Sequence, residues 1–415
     1  MAQTSAPWPP SPTIFRHPGQ APPGSMFTHW RGPVVSPWKF VVKRWLTKLN
    51  ALLLFLPISV WAHVYDWSPE LRLVFACLEI IPMAKLLGES VDVAAESVAR
   101  GPPPDEGNID WPEICSDLLQ AVCGNAMEVT IGVCALLQDD NRLAQTFIFG
   151  SILTKILLGL GCVFMAGGFR YSESNFSTTA AQTGSSLMTL SSITLIIPAA
   201  YHARNPDPVG LLTISRAAAV LLLIVYAAFL FFQLRTHAYL FSPVEEESDD
   251  EQPPDPNFVL SDFKVGIPSA FALLGITSTA AALCSYFLVS AIEDAPTEEL
   301  GLPPIFIHAI VLPLLVQCTQ ILSFFLTPPS EMAESVGLCV GGAIQLATLV
   351  LPLLVLLSWA CGKAFTLFFV TFETITLSAS VVLVTALITD GICNYLEGSM
   401  LLVLYCTVAF VMFIN

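Results

Sequence analysis

Runs of apolar residues recur from residue 50 to the C-terminus, and they restrict the folds open to this chain more than any other feature. A helix needs about 20 mostly apolar residues to cross the hydrocarbon layer, where each backbone N–H and C=O must be satisfied within the segment itself. Eleven stretches approach or meet that length, near 50–66, 71–90, 115–137, 143–168, 180–202, 209–234, 263–292, 303–326, 336–359, 365–388 and 397–414. The first is the shortest. With 54% hydrophobic and only 12% charged residues in 415, the composition agrees: the chain reads as an all-α polytopic membrane protein.

What lies between the runs organises them. Residues 1–49 are polar and Pro-rich ("APWPPSPTIFRHPGQAPPG"), cannot build a packed core, and read as a disordered cytoplasmic tail. Residues 242–262, beginning "SPVEEESDDEQPPDPN", read as an acidic cytoplasmic linker. This leaves one leading span at 50–70, five spans in 71–241 and five in 263–415. Five is odd, so the second set enters the bilayer in the opposite sense, which is the inverted-repeat architecture of transporters. Positive charges fix the orientation. With the N-terminus cytoplasmic, that side receives Arg16, Arg31, Lys39, Lys43, Arg44, Lys48, Arg100, Arg170, Arg235 and Lys264, and the other side only Arg72, Arg142, Arg204 and Lys363. Ten against four favours a cytoplasmic N-terminus and a C-terminus on the far side.

Composition also excludes. The net charge of −16 sits largely in loops and no basic groove is present, so nucleic acid is not an expected partner; membrane lipid is. Eleven cysteines are scattered singly, most of them as small packing residues in apolar runs. No nucleophile constellation or phosphate loop is present, so neither an enzyme nor a cofactor is expected. Homo-oligomerisation stays open.

One run is interrupted. "CGNAMEVTIGVCALL" (123–137) carries Gly124, Asn125 and Glu128 inside a span. A charge at bilayer depth costs roughly 2.5–3.5 kcal/mol on insertion scales, so an intramembrane carboxylate points to an ion or proton pathway. The alternative is a structural ion pair with Lys155, which lies near the middle of the fourth span. Asn125 is a ligand or an interhelical hydrogen-bonding group, and Gly124 and Ala126 suit close helix packing. The halves share a spacing: Glu128 precedes "GSILT" at Gly150 by 22 positions, and Gln320 precedes "GGAIQ" at Gly341 by 21. Gly150 and Gly341 are therefore candidates for close packing around a central site.

These residues resemble the signatures of the calcium/proton exchangers, the cation-exchanger group of the sodium/calcium exchanger superfamily. The first-half signature is Gly124-Asn125-Ala126-Met127-Glu128, and further matches are "FSTTAAQTGSSLMTLSSITLIIPAAY" (176–201), "ISRAAAVLLLIVYAAFLFFQLRTH" (214–237) and "ITDGICNYLEGSMLL" (388–402). The resemblance covers roughly residues 39 to 415 and implies ten core helices in two inverted halves behind one extra helix. It implies Ca²⁺/H⁺ antiport at a vacuolar or similar internal membrane, with the C-terminus lumenal. It also implies a midplane site of paired carboxylates from the third and eighth spans. Ca²⁺ needs several oxygen ligands at about 2.3–2.6 Å, and protonating the carboxylates expels it.

The second-half signature departs from that pattern. Where the family has Gly-Asn-Ala-Ala-Glu-His, this chain has Val316-Gln317-Cys318-Thr319-Gln320-Ile321. Gln320 keeps a carbonyl oxygen but carries neither charge nor proton. The family Asn after the "GSxLS" run aligns with Lys155, an acidic residue of the seventh span with Tyr286, and serines of the ninth span with Gly342 and Ala343, while Gln345 is retained. Glu89 and Asp92 survive from the acidic residues of the second span and form a vestibule or a solvated span end. The expected cation and proton site is thus Glu128, as the one charged metal ligand, with Asn125, Gln317 and Gln320, modulated by Lys155, Asp92, Glu89 and Gln345. A Lys155–Glu128 pair would put an ammonium in place of the metal and oppose proton uptake. A divergent exchanger that moves another ion, or a regulatory non-transporting subunit, is the alternative reading.

Overall fold

The computed structural model describes residues 52–100, 111–170, 174–175, 178–237, 266–295, 301–325, 332–389 and 391–414. The expectations for the tail at 1–49 and the linker at 242–262 lie outside these residues. The helices are α1 (Phe55–Val64), α2 (Pro69–Ala99), α3 (Trp111–Cys123) and α4 (Ala126–Leu137). They continue with α5 (Asn141–Gly168), α6 (Gln182–Arg204), α7 (Pro208–Thr236), α8 (Ile267–Asp294), α9 (Pro304–Phe324), α10 (Met332–Ala360), α11 (Thr371–Ile388) and α12 (Tyr395–Ile414). The one strand pairing among the described residues is antiparallel, β1 (Ser174–Asn175) with β2 (Ile392–Cys393), and places Ser174 opposite Cys393.

Among the described residues, eight helices (α5 to α12) are long and apolar enough to cross a membrane, and nine if α3 and α4 count as one span bent by 43°. Two expected spans fall outside that set. Helix α1 has 10 residues, about 15 Å of rise, half of a hydrocarbon core. Helix α2 is not the 71–90 segment but a 31-residue helix, and it differs from α5 to α12 in carrying seven acidic and basic side chains (Glu70, Arg72, Glu79, Lys85, Glu89, Asp92 and Glu96). A further correction concerns 365–388. The helix begins only at Thr371, and 363–370 runs extended, burying Phe365, Leu367 and Phe369 while the residues between them stay more exposed. That alternation is the period of extended chain. Its carbonyls are served by α5: Asn141 Nδ2 donates to Ala364 O (3.3 Å) and Gln145 Nε2 to Thr366 O (2.8 Å).

Helix α5 is largely apolar and lies at the centre, almost wholly buried, whereas α7 is mostly exposed. Phe147, Phe149 and Phe164 are fully buried along it. Glycine lets neighbouring backbones reach it. A Cβ on Gly150 would lie 2.0 Å from Ala309 O of α9, so α5 and α9 cross at backbone contact, as the spacing argument expected. The same holds for Gly398 of α12, whose Cβ would lie 2.7 Å from Met165 N. Gly341 is a correction. It faces outward, and a Cβ there meets nothing within 4 Å, whereas the neighbouring Gly342 is the packed one.

Helices α5, α9 and α10 each widen into a π-turn, at Thr154–Gly159, Ile307–Val311 and Leu346–Val350. In α9 and α10 a proline stands two residues past the end of the π-turn, Pro313 and Pro352. Proline has no N–H for the carbonyl four residues back, and the ladder relaxes around it. No proline stands at the α5 π-turn, which holds Lys155.

Candidate functional site

The break between α3 and α4 creates the site. A Cβ on Gly124 would lie 2.8 Å from Gln120 O, so glycine permits the tight bend. Asn125 occupies the N-cap position of α4, where its carbonyl accepts from Val129 N (3.0 Å), but its side chain does not cap. That side chain instead crosses to α10, donating from Nδ2 to Gln345 Oε1 (2.8 Å) and Gly342 O (3.1 Å). Glu128 falls in the first turn of α4, where the positive end of the helix dipole favours an anion.

Around Glu128 three elements converge. Gln317 Nε2 of α9 donates to Glu128 Oε1 (3.4 Å) and to Ser151 O of α5 (3.3 Å). Lys155 Nζ of α5 lies 3.5 Å from Glu128 Oε1, with the two side chains only 8% and 5% exposed. The lysine stem lies over Gly342: a Cβ there would come within 3.0 Å of Lys155 Cδ. Ser151 Oγ and Gln345 Nε2 are buried without a hydrogen-bond partner among the described residues, so the cluster keeps both an unused hydroxyl and an unused donor.

Of the sequence-derived residues, Glu128, Asn125, Gln317, Gln345 and Lys155 are thus brought together. Gln320 is not hydrogen-bonded to Glu128. It sits three residues beyond Gln317, half-buried, its carbonyl accepting from Ser323 Oγ (2.7 Å). Glu89 pairs with Lys85 across one turn of α2 (3.8 Å), and Asp92 is exposed. Tyr286 is 48% exposed on α8. Sequence reasoning passed over the part played by Gly342, although a lysine gained on α5 and a side chain lost on α10 form a complementary pair of departures. Among the described residues no three of His, Cys, Asp and Glu converge, so the cluster offers one carboxylate supplemented by amide and main-chain oxygens. Such a set can exchange a proton for a cation on a single charge, or hold the Lys155 ammonium there instead.

Apolar helices around a buried polar centre, one of them broken beside it, define a helical membrane protein. The chain belongs to the sodium/calcium exchanger family: the family model "Sodium/calcium exchanger protein" matches residues 71–235 and 269–414. It is 33% identical over 369 residues to the vacuolar calcium ion transporter of Schizosaccharomyces pombe, covering 88% of this chain and 84% of that one. It is 34% identical over 380 residues to the Ca²⁺/H⁺ antiporter of Aphanothece halophytica, covering 88% and 95%. Among solved structures, native YfkE superposes with a TM-score of 0.70 at 23% identity over 88% of this chain and 100% of that one. The H⁺/Ca²⁺ exchanger CAX gives 0.62 at 12% identity over 91% and 92%; at such identities the likeness is one of fold.

Proposed function

We propose that this protein is a cation/proton antiporter of an internal, vacuole-type membrane, exchanging Ca²⁺ for H⁺ with Glu128 as the carboxylate that holds either ion. The observation that carries this reading is Glu128 itself, buried at the N-terminal end of α4 and met by side chains from α5 and α9. The relatives' functions agree with it. In this reading Ca²⁺ takes the Glu128 carboxylate, the side-chain oxygens of Asn125, Gln317 and Gln345, and main-chain oxygens such as Ser151 O. A proton on Glu128 removes the charge that retains the ion. The architecture consistent with this is one leading helix, α1, then two inverted halves of five spans, α2 to α7 (with α3 and α4 as one) and α8 to α12.

The Lys155–Glu128 pair favours a second reading, in which the exchanger has lost Ca²⁺ and moves another ion or regulates a partner. One ammonium facing one carboxylate sums to zero, and a divalent ion finds no net attraction. The deciding experiment is proton-gradient-driven uptake of radiolabelled Ca²⁺ into vesicles carrying the purified protein. Uptake that a protonophore collapses and Glu128→Gln abolishes supports antiport. Uptake no greater than in protein-free vesicles leaves the second reading.

A further inference from the structure

A buried acidic side chain outside the Glu128 cluster has no ion pair among the described residues. Glu79 lies on α2 at its seam with α1 and α8, 1% exposed. The seam is closely packed. Helices α2 and α8 run antiparallel, tied by Arg72 to Asp294 (3.1 Å) at one end and by Ser90 to Thr277 (2.7 Å) towards the other. Between these ties the Ser59 hydroxyl of α1 and the Cys284 thiol of α8 face Glu79, and Cys77 is the titratable group beside it on α2. Neither facing group reaches hydrogen-bonding geometry: both Glu79 carboxyl oxygens are buried without a partner among the described residues.

The charges that might neutralise Glu79 are engaged elsewhere. Arg72, two turns back, is held by Asp294, and Lys85 pairs with Glu89. On α1, His63 lies one turn beyond Ser59 with its ring against Phe287 of α8 (4.7 Å). A carboxylate buried from solvent, with no paired cation and no donor in hydrogen-bonding geometry among the described residues, is stabilised by binding a proton. An intramembrane acid with neither a structural partner nor a role in the Glu128 cluster is a proton site by its chemistry.

We infer that Glu79 is a second proton-binding site, separate from Glu128, which holds its proton while α8 is packed on α2 and releases it to water when that seam opens. The step is a plain O–H dissociation, with the proton passing to solvent and the carboxylate becoming hydrated. Any movement of α2 against α8 is thereby linked to proton release, whichever ion occupies the Glu128 site.

The test uses the full-length protein in detergent. Thermal unfolding is followed from mildly acidic to mildly alkaline pH for the parent and Glu79→Gln. The folded parent keeps a proton that the unfolded chain gives up, so its stability should fall with rising pH, by up to about tenfold in the unfolding constant per pH unit. Glu79→Gln should lose that component. In infrared spectra at neutral pH, the C=O stretch of a neutral carboxylic acid should appear in the parent and in Glu128→Gln but not in Glu79→Gln. Parallel pH profiles with an unchanged carboxylic band would overturn the proposal. If Glu79→Gln does not fold, Glu79→Asp in the Glu128→Gln protein decides. A neutral-acid band that shifts when the carboxyl itself is moved by one methylene supports the site; an absent or unshifted band refutes it.

Discussion

The stem of Lys155 occupies the volume that a Cβ at position 342 would need, 3.0 Å from Cδ, so the lysine on α5 and the glycine on α10 depend on each other. Gly342→Ser in the parent should cost about 1–3 kcal/mol through overpacking. In a Lys155→Asn background the same change should cost under about 0.5 kcal/mol, because the stem is gone. A double-mutant cycle in thermal unfolding measures this, and equal costs in both backgrounds would dismiss the coupling. Lys155→Asn alone strands Glu128 and should cost about 3–5 kcal/mol, as removing one partner of a buried pair does. Combining Lys155→Asn with Gln317→Glu, at the α9 position that meets Glu128, sets two carboxylates side by side and removes the tethered cation. That protein should gain Ca²⁺-dependent stabilisation over the parent, up to about 2.7 kcal/mol at a hundredfold excess over its Kd. No gain in melting temperature with Ca²⁺ would mean that the ammonium is not what holds the metal off.

Between helices, a pair of charges joins the starts of α5 and α11. Arg142 grips Glu373 through both guanidinium nitrogens, with Nη1 to Oε2 at 3.0 Å, and Glu373 is fully buried. The same carboxylate accepts from Val370 N (3.2 Å) and so anchors the turn where extended chain becomes helix. Arg142→Ala should therefore cost about 2–4 kcal/mol, somewhat less than for a wholly buried pair because Arg142 keeps contact with solvent. Arg142→Lys should recover only part of this, since an ammonium cannot reproduce the two-pronged grip. Denaturation in detergent checks both. At this scale the spans were largely legible, because apolar length is a local property. The extended 363–370 segment was not, because an apolar strand-like run beside a helix looks like more helix until α5 supplies the partners for its carbonyls. Likewise "GNAME" marked the α4 half of the site, but which α9 glutamine meets Glu128 depends on where α9 turns around its π-segment and Pro313, and that is set by tertiary packing. The choice of Gly341 over Gly342 failed for the same reason: one residue rotates a helical position by about 100°.

For the molecule as a whole, orientation follows from the parity of its crossings. In the proposed arrangement, α3 and α4 as one span, with α2 and α5 to α12, give ten crossings, which return the chain to the side on which α2 began. Whether α1 crosses then decides where the N-terminus lies relative to the C-terminus. Its 10 described helical residues fall short of a bilayer, yet Leu52 to Leu54 continue the helical path and the sequence is apolar from residue 51, so a crossing through a locally thinned bilayer is the reading that fits the ten-to-four excess of positive charge. We expect opposite sides: a protease added to sealed vesicles with their cytoplasmic face outward should remove a tag at the N-terminus and spare one at the C-terminus until detergent is added. A third tag, inserted within 242–257, should be cleaved along with the N-terminal one, because one leading span plus five more is an even number of crossings. Cleavage of both terminal tags in intact vesicles would place α1 on the surface and leave ten spans, and the 242–257 tag, then five crossings from the N-terminus, would be protected, which inverts the two halves relative to the assigned orientation.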